Sequence, residues 1–319
     1  MTLTSGEKMG VGECGLFRGL SADDRPDYEQ KLLWLCEHIN DDKDWLYKEL
    51  YDFPSIQFGM EQAFLSLEAK QMFDLFPSDF SRGRDKISIN GLIWMGDESF
   101  MKEQITNKLE AGFTTLKMKI GAIDFKTELQ ILKSIRKDYT IKELELRVDA
   151  NGAFSPEVAM DKLMQLADFD IHSIEQPIRA GQWDSMTELC RTSPIPIALG
   201  EELIGVFDYK RKRSLLERIR PQYIILKPSL IGGFQGSKAW ISLCDELGIG
   251  WWITSALESN IGLNAIAQFT YTLENPMPQG LGTGGLFSNN IASPLCMSKG
   301  ALYLDQQLKW AKVSSFLSE

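Results

Sequence analysis

Lys117-Met118-Lys119 lies in a run of β-formers, where a period of two sends both ammonium groups to one face and Met118 to the other. Like charges side by side disfavour protonation, which lowers a lysine pKa toward that of a usable base near neutral pH. Taken alone, such a pair is more often the wet face of an edge strand. Arg147-Val148-Asp149-Ala150-Asn151 puts an aspartate at the end of another strand, Ile174-Glu175-Gln176-Pro177 does the same with a glutamate, and Ala198-Leu199-Gly200-Glu201-Glu202 repeats the device. Asp149, Glu175, Glu201 and the lysine of Leu226-Lys227-Pro228 succeed one another at equal steps of 26 residues. One strand-helix unit per step is the simplest cause. Three carboxylates brought together would repel unless a cation sat among them, and hard oxygen donors without Cys or His point to magnesium, with manganese able to substitute.

The elements that must carry these residues form a repeat. From Ile87 onward, short β-like runs alternate with amphipathic helical stretches, as in βα units on a parallel sheet. The expected strands are 87–94, 115–120, 144–150, 171–176, 195–199, 223–227, 251–255 and a last, weakly marked one at 280–282. Eight strands fit a (β/α)8 barrel or an open doubly wound sheet. Acids and a lysine at successive strand ends converge on the mouth of a barrel, the face where barrel enzymes keep their chemistry. Ser155-Pro156-Glu157 reads as a helix start, and 238–247 carries an apolar stripe. Residues 1–85 read differently, with helices expected over 28–39 and 60–73 around a Pro-containing segment, and are assigned to an α+β capping domain. The barrel domain then runs over 86–294, and the tail, 295–319, packs back on cap or barrel.

A formal net charge of −10 argues against a nucleic-acid partner, because phosphate neutralisation needs a clustered excess of Lys and Arg. The basic run 210–213 reads as a solvated helix face. No signal peptide or apolar run of spanning length is apparent, so a cytoplasmic protein with no membrane partner is expected. Five scattered cysteines without a CxxC pair disfavour disulfides and zinc and read as buried free thiols. With only two histidines, His38 and His172, the chemistry must lean on Lys, Asp and Glu, and His172 reads as a packed residue. The glycines of 232–236 could cradle a phosphate at a helix start, but they lack the GxGxxG spacing and fit an ordinary tight turn better.

The ordered set Lys117, Lys119, Asp149, Glu175, Glu201 and Lys227 resembles the enolase superfamily, in particular its muconate-lactonizing-enzyme-like branch. The likeness runs from Gly12-Glu13-Cys14 to the glycine-rich 280–285. It implies a modified TIM barrel with a cap, with Lys119 as base, Lys117 as the partner lowering its pKa, and Lys227 as the lysine of the opposite face. It also implies Asp149, Glu175 and Glu201 as magnesium ligands. Many relatives have Asp-Glu where this chain reads Gly200-Glu201-Glu202; Glu201 preserves the equal step, and Glu202 stands in reserve. Segments 225–233, 255–259 and 280–285 look most like the o-succinylbenzoate synthase family. In the mechanism this implies, Lys119 removes the α-proton of 2-succinyl-6-hydroxy-2,4-cyclohexadiene-1-carboxylate and then, protonated, assists the departing hydroxide on the same face, while Lys227 supports the ring as a cation.

Arg147, Asn151, Ser255 and Gly284 are the expected substrate contacts by position, with Leu286-Phe287 walling the pocket. A racemase of N-acylamino acids would use the same two lysines and stays open. A dipeptide epimerase typically carries Asp-x-Asp near the eighth strand, and 280–290 contains no aspartate. A ligand-binding, non-catalytic descendant is the reading from another class, suggested by a start that reaches Gly12-Glu13 without the usual first strands and lid loop. The expected partner is a small-molecule carboxylate, and a homo-oligomer is left open.

Overall fold

The computed structural model describes residues 1–312, with Gly284 and Gly285 described in backbone only. The first residues form an antiparallel hairpin, β1 (Thr2–Ser5) and β2 (Lys8–Val11), where no strand was expected. Helices α1 (Tyr28–His38), α2 (Lys43–Glu49) and α3 (Pro54–Glu68) follow. The helix expected over 60–73 begins at Pro54 instead. Proline at a first helical position forfeits only a backbone N–H that has no intrahelical partner, so the Pro-containing segment starts the helix rather than interrupting it. Leu35, Leu46, Leu50, Ile56 and Met60 form a separate small core in this part of the chain.

The expected strand at 87–94 is two strands in two sheets. β3 (Lys86–Ser88) pairs antiparallel with a late strand, 301–304, and β4 (Gly91–Ile93) pairs parallel with the next strand, 115–119. Between them Ile89 bridges Gln279, and the Asn90 N–H donates to the Gln279 carbonyl, so the chain changes partners there. Then come α4 (Glu98–Glu110), β5 (Thr115–Lys119), α5 (Phe125–Asp138), β6 (Glu145–Asp149), α6 (Pro156–Ala167), β7 (Ile171–Glu175) and α7 (Trp183–Thr192). The repeat continues with β8 (Ile197–Leu199), α8 (Tyr209–Ile219), β9 (Tyr223–Leu226), the short α9 (Pro228–Ile231), α10 (Gly233–Leu247), β10 (Gly250–Ile253) and α11 (Asn260–Thr272). A hairpin of β11 (Leu295–Ser298) and β12 (Ala301–Leu304) ends the described elements and extends β3 into a three-stranded sheet.

β4 to β10 make one parallel sheet in sequence order, a curled α/β barrel wall with helices outside it. No eighth strand forms at 280–282. Ladder contacts of Gln279 with Ile89 and of Gly280 with Thr254 join the two edges instead. Gly280 is required there, since a Cβ would lie 2.2 Å from Thr254 Oγ1. Side-chain carboxylates start several of the helices: Asp97, Asp124 and Asp208 each accept the N–H three residues on. The apolar outer faces of the strands and the inner faces of the helices make the main core. Low inside the barrel, Ala198, Ile225 and Trp252 pack with Tyr223 and Met277.

Acids from the cap seat the starts of two barrel helices. Glu61 accepts from the N–H groups of Phe234 (2.5 Å) and Gln235 (3.0 Å), so the donors a phosphate would have used at 232–236 are taken and the stretch is a tight turn. Glu13 accepts from Ser259 N, Ser259 Oγ and Gly262 N at the start of α11. Of the basic run, Lys212 departs from the expected solvated face. It is buried over the Trp240 ring, and burial pulls its pKa down to about 8. The cysteines are all free, Cys190 and Cys244 buried as expected, whereas Cys36 is exposed. His172 packs on Tyr223 and bonds Ser173 Oγ.

Candidate active site

Alternation along β5 turns Lys117 and Lys119 into the barrel, and the same phase on β6 and β7 turns Asp149 and Glu175 toward them. The parallel register sets Lys119 beside Asp149 and Asp149 beside Glu175. These strand ends open on a cavity of about 340 Å³. Its polar lining includes Lys117, Lys119, Asn151, Glu201 and Lys227, and its apolar lining is Phe17, Leu20, Leu92, Trp94 and Met95, with Leu92 beside Lys117 on the paired strand.

The charges form one connected network. Lys117 Nζ donates to Asp149 Oδ2 (2.9 Å) and Glu175 Oε2 (2.5 Å), and Lys119 Nζ donates to the same Asp149 oxygen (2.8 Å) and to Asn151 Oδ1 (2.6 Å). Lys227 Nζ reaches Glu175 Oε1 at 3.2 Å and Glu201 Oε1 at 3.8 Å. Lysines from β5 and from the end of β9 thus face each other across the acids. Burial opposes the charge on Lys117, but Asp149 and Glu175 outweigh it and hold the ammonium above the usual lysine range. Burial likewise opposes Lys227, and Glu175, Glu201 and Asp149 hold it above that range. Asp149 stays below the usual carboxylate range: burial works against its charge, and Lys117 and Lys119 overcome it. Burial and then the Asp149 charge push Glu175 up.

The turn after β8 separates the two candidate third acids. Glu201 faces the network, its Oε1 accepting from Asn151 Nδ2 at 2.8 Å while its buried Oε2 has no partner among the described residues. Glu202, 4% exposed, points the other way and is fully engaged, accepting from Gln176 Nε2 (3.1 Å) and the Gly181 N–H (2.7 Å). Gln176 Oε1 also accepts from the Gly200 and Glu202 N–H groups, which holds the turn on both sides of Glu201. Gly200 lets the chain pass where a Cβ would lie 2.5 Å from Glu175 Oε1.

The remaining expected residues divide. Asn151 joins the network, bridging Lys119 and Glu201 from a left-handed backbone (φ 44°) that asparagine tolerates. Ser255 lines the cavity, its hydroxyl bonded to Thr283 Oγ1 (2.5 Å) and the Gly280 carbonyl (3.2 Å). Arg147 is not a cavity residue. It shares the inward face of β6 but sits one pleat below Asp149, with Nε on Glu145 and Nη1 on the Pro278 carbonyl toward the far end of the barrel, its guanidinium over Trp252. Gly284 belongs to the short 3₁₀ turn Thr283–Leu286, and its surroundings lie outside the described residues. Leu286 and Phe287 do not wall the cavity; both are exposed. The sequence reading missed the residues that do, Phe17, Leu20, Trp94 and Met95, and it missed Asn90. None belongs to a spaced series; the Asn90-Gly91 pair inside the β-forming run was the available signal for Asn90.

Asp149, Glu175 and Glu201 offer oxygen donors alone, and the unpartnered Glu201 Oε2 is a buried acceptor that a cation would satisfy, so the donor chemistry suits a hard divalent ion, although as placed no three acids among the described residues converge on one point. In the arrangement described, the gap between Asp149 and Glu175 is bridged by the Lys117 ammonium. No helix among the described residues is long and apolar enough to cross a membrane.

Residues 101–304 match the family described as enolase C-terminal domain-like. The o-succinylbenzoate synthase of Desulfotalea psychrophila is 54% identical over 250 residues, covering 78% of this chain and 68% of that protein. An L-Ala-D/L-Glu epimerase of Francisella tularensis subsp. novicida is 28% identical over 240 residues, 74% of this chain and 66% of that protein. The chain thus spans about two thirds of the length of these curated relatives. The crystal structure of MenC from Desulfotalea psychrophila superposes with a TM-score of 0.86 at 43% identity, covering 95% of this chain and 93% of that one. Muconate cycloisomerase from Pseudomonas fluorescens superposes with a TM-score of 0.79 at 20% identity, over 96% and 91%, a likeness of fold.

Proposed function

The chain belongs to the enolase C-terminal domain-like family, and from that membership we propose that it is a magnesium-dependent o-succinylbenzoate synthase, a hydro-lyase of menaquinone biosynthesis. The observation that carries the reading is the 54% identity to a synthase across most of the chain, about twice that to the epimerase. Enzymes of the superfamily are metal-dependent. Here Asp149, Glu175 and Glu201 would hold the ion, whose charge, when it is bound, lowers the cost of removing a proton α to the substrate carboxylate.

The chain's own residues supply the rest. Lys119 takes the α-proton of the cyclohexadiene carboxylate and then gives it to the hydroxyl leaving from the same ring face, so that one water departs and the ring becomes aromatic. Asn151 and Asp149 fix the Lys119 nitrogen through the bonds given above. Lys227, held cationic by its carboxylate neighbours, faces the ring from the other side and offsets the negative charge that develops there. Lys117 contributes a fixed positive charge beside Asp149 and Glu175. The apolar wall from Phe17 to Met95 covers the ring and excludes water. The substrate is a small-molecule carboxylate, and the expected compartment is the cytoplasm.

The test is direct. Purified protein with magnesium should convert 2-succinyl-6-hydroxy-2,4-cyclohexadiene-1-carboxylate to 2-succinylbenzoate, followed by loss of the diene's ultraviolet absorbance; unchanged absorbance sinks the reading. Racemisation of N-acylamino acids by the two lysines is the second reading, favoured by Lys119 and Lys227 reaching the acids from opposite sides of the mouth. It predicts exchange of the substrate's α-hydrogen with deuterated solvent.

A further inference from the structure

The barrel mouth is divided by charge. From β5 round to the end of β9, each strand brings a member of the lysine-carboxylate network. The remaining arc, made by β4, the end of β10 and the stretch 279–283, brings no charged side chain to the cavity. It presents Asn90, Thr254, Ser255 and Thr283. Three of these are satisfied within the protein: the Thr254 hydroxyl donates to the Gly280 carbonyl at 2.7 Å, and Ser255 and Thr283 bond each other.

Asn90 is the exception. It is 3% exposed and lines the cavity, yet its Oδ1 is buried without a hydrogen-bond partner among the described residues. Its backbone N–H already serves the Gln279 carbonyl, so the position holds the fold through its main chain whatever the side chain. A buried amide left unpaired costs stability that an apolar side chain of the same shape would not.

We propose that Asn90 is a substrate-binding residue whose side-chain amide hydrogen-bonds the ketone oxygen of the succinyl arm, on the uncharged arc of the cavity between the strands that carry Lys117 and Lys227. This rests on the synthase reading. The ring carboxylate belongs to the charged arc, where the cations are. The arc itself carries no cation, and the lysines that flank it are already paired, Lys117 with Asp149 and Glu175, Lys119 with Asp149 and Lys227 with Glu175; a carboxylate buried beside Asn90 would lack a free partner, and burying a charge unpaired is far more costly than burying a ketone. The neutral arc therefore suits the carbonyl next to the ring rather than the arm's terminal carboxylate.

Binding of three ligands to magnesium-loaded protein, measured calorimetrically, tests the assignment: 2-succinylbenzoate, 2-butyrylbenzoate (ketone without terminal carboxylate) and benzoate (neither). Asn90→Leu should weaken the first two about 10-fold each, the loss of one buried hydrogen bond, and leave benzoate unchanged. Asn90→Ala should do the same. The melting temperature of Asn90→Leu should equal or exceed that of the parent; a fall would make Asn90 a structural residue and overturn the proposal. Loss confined to 2-succinylbenzoate would assign the contact to the terminal carboxylate and overturn the ketone assignment. Equal loss for all three ligands, or for none, would overturn it altogether. Parent protein that binds benzoate but not 2-succinylbenzoate would instead sink the synthase reading; parent protein that binds both, with Asn90→Leu binding them equally well, sinks the Asn90 assignment alone.

Discussion

Glu201 and Glu202 are adjacent acids with opposite environments, and replacing each in turn separates metal holding from fold holding. Glu201→Gln keeps the bond to Asn151 but removes the charge whose second oxygen is buried without a partner. Glutamine puts an unpaired buried N–H where the unpaired oxygen was, and the two deficits cost alike, about 1–3 kcal/mol, so the metal-free variant should be about as stable as the parent. Its magnesium affinity should nonetheless fall by about 100-fold or more, beyond the 10–100-fold typical of losing a group that only supports a ligand. Glu202→Ala deletes an acceptor at 2.7 Å from Gly181 N and 3.1 Å from Gln176 Nε2, in a site 4% exposed. Two such bonds to a carboxylate, less what the site recovers by relaxing, come to about 3 kcal/mol, or roughly 4–5 °C in melting temperature for a chain of this length. Because Gln176 then loses its anchor beside the turn, magnesium affinity should fall in this variant too, by less than in Glu201→Gln. Calorimetric titration with magnesium and thermal melts without it, run on both variants, give all four numbers. If Glu202→Ala loses metal affinity while Glu201→Gln retains it, Glu202 is the ligand and the argument from the unpartnered oxygen fails.

Lys119→Ala and Lys227→Ala should each cut turnover by at least about 1000-fold, the upper part of what proton transfer and charge stabilisation contribute. Both should keep the fold by circular dichroism; a variant retaining a tenth of the parent's kcat counts against the role given it. Chelation with EDTA should abolish activity, and magnesium or manganese should restore it; activity undiminished at saturating chelator removes the metal from the mechanism. Glu258, buried against Ser229 and near Glu13, is pushed up to about 7 by burial. With a folded pKa above the unfolded value of 4.5, it contributes no loss of stability at low pH. The loss grows as pH rises past 4.5 and is complete above about 7, where it amounts to about 3 kcal/mol at 1.36 kcal/mol per unit. Glu258→Gln should therefore show a smaller drop in urea midpoint between pH 5 and pH 8 than the parent; equal drops refute the assignment.

Local chemistry carried far in this chain. The strand starts and ends that bear Lys117, Lys119, Asp149, Glu175 and Lys227 were legible because a parallel barrel imposes one repeat length, and four residues in equal steps report that length directly. Alternation then dictated which side chains share a face. Alternation does not report depth, however, and so Arg147 was placed with Asp149 although it lies one pleat lower and serves the far end of the barrel. The strand at 87–94 failed for a related reason: a continuous β-forming run does not say that its two halves find partners as distant in sequence as Ala301 and Leu116. The eighth strand was weak in sequence and is reduced to ladder contacts in the fold, since glycines give little to pack and Thr254 leaves no room for more.

By itself the sequence determined the repeat, the identity of the acids and lysines, and the face they share, because each of these is fixed by neighbours within a few residues or by one constant step. Only the tertiary structure gave Glu201 and Glu202 their different surroundings, since these depend on Gln176 and Gly181 arriving from the preceding strand and loop. It alone brought Phe17 and Leu20 across from the first residues of the chain to wall the cavity, and set Asn90 facing it with an unused amide. Hydrogen-bond satisfaction and enclosure are properties of what surrounds a side chain on every side. A linear pattern specifies only two of its neighbours.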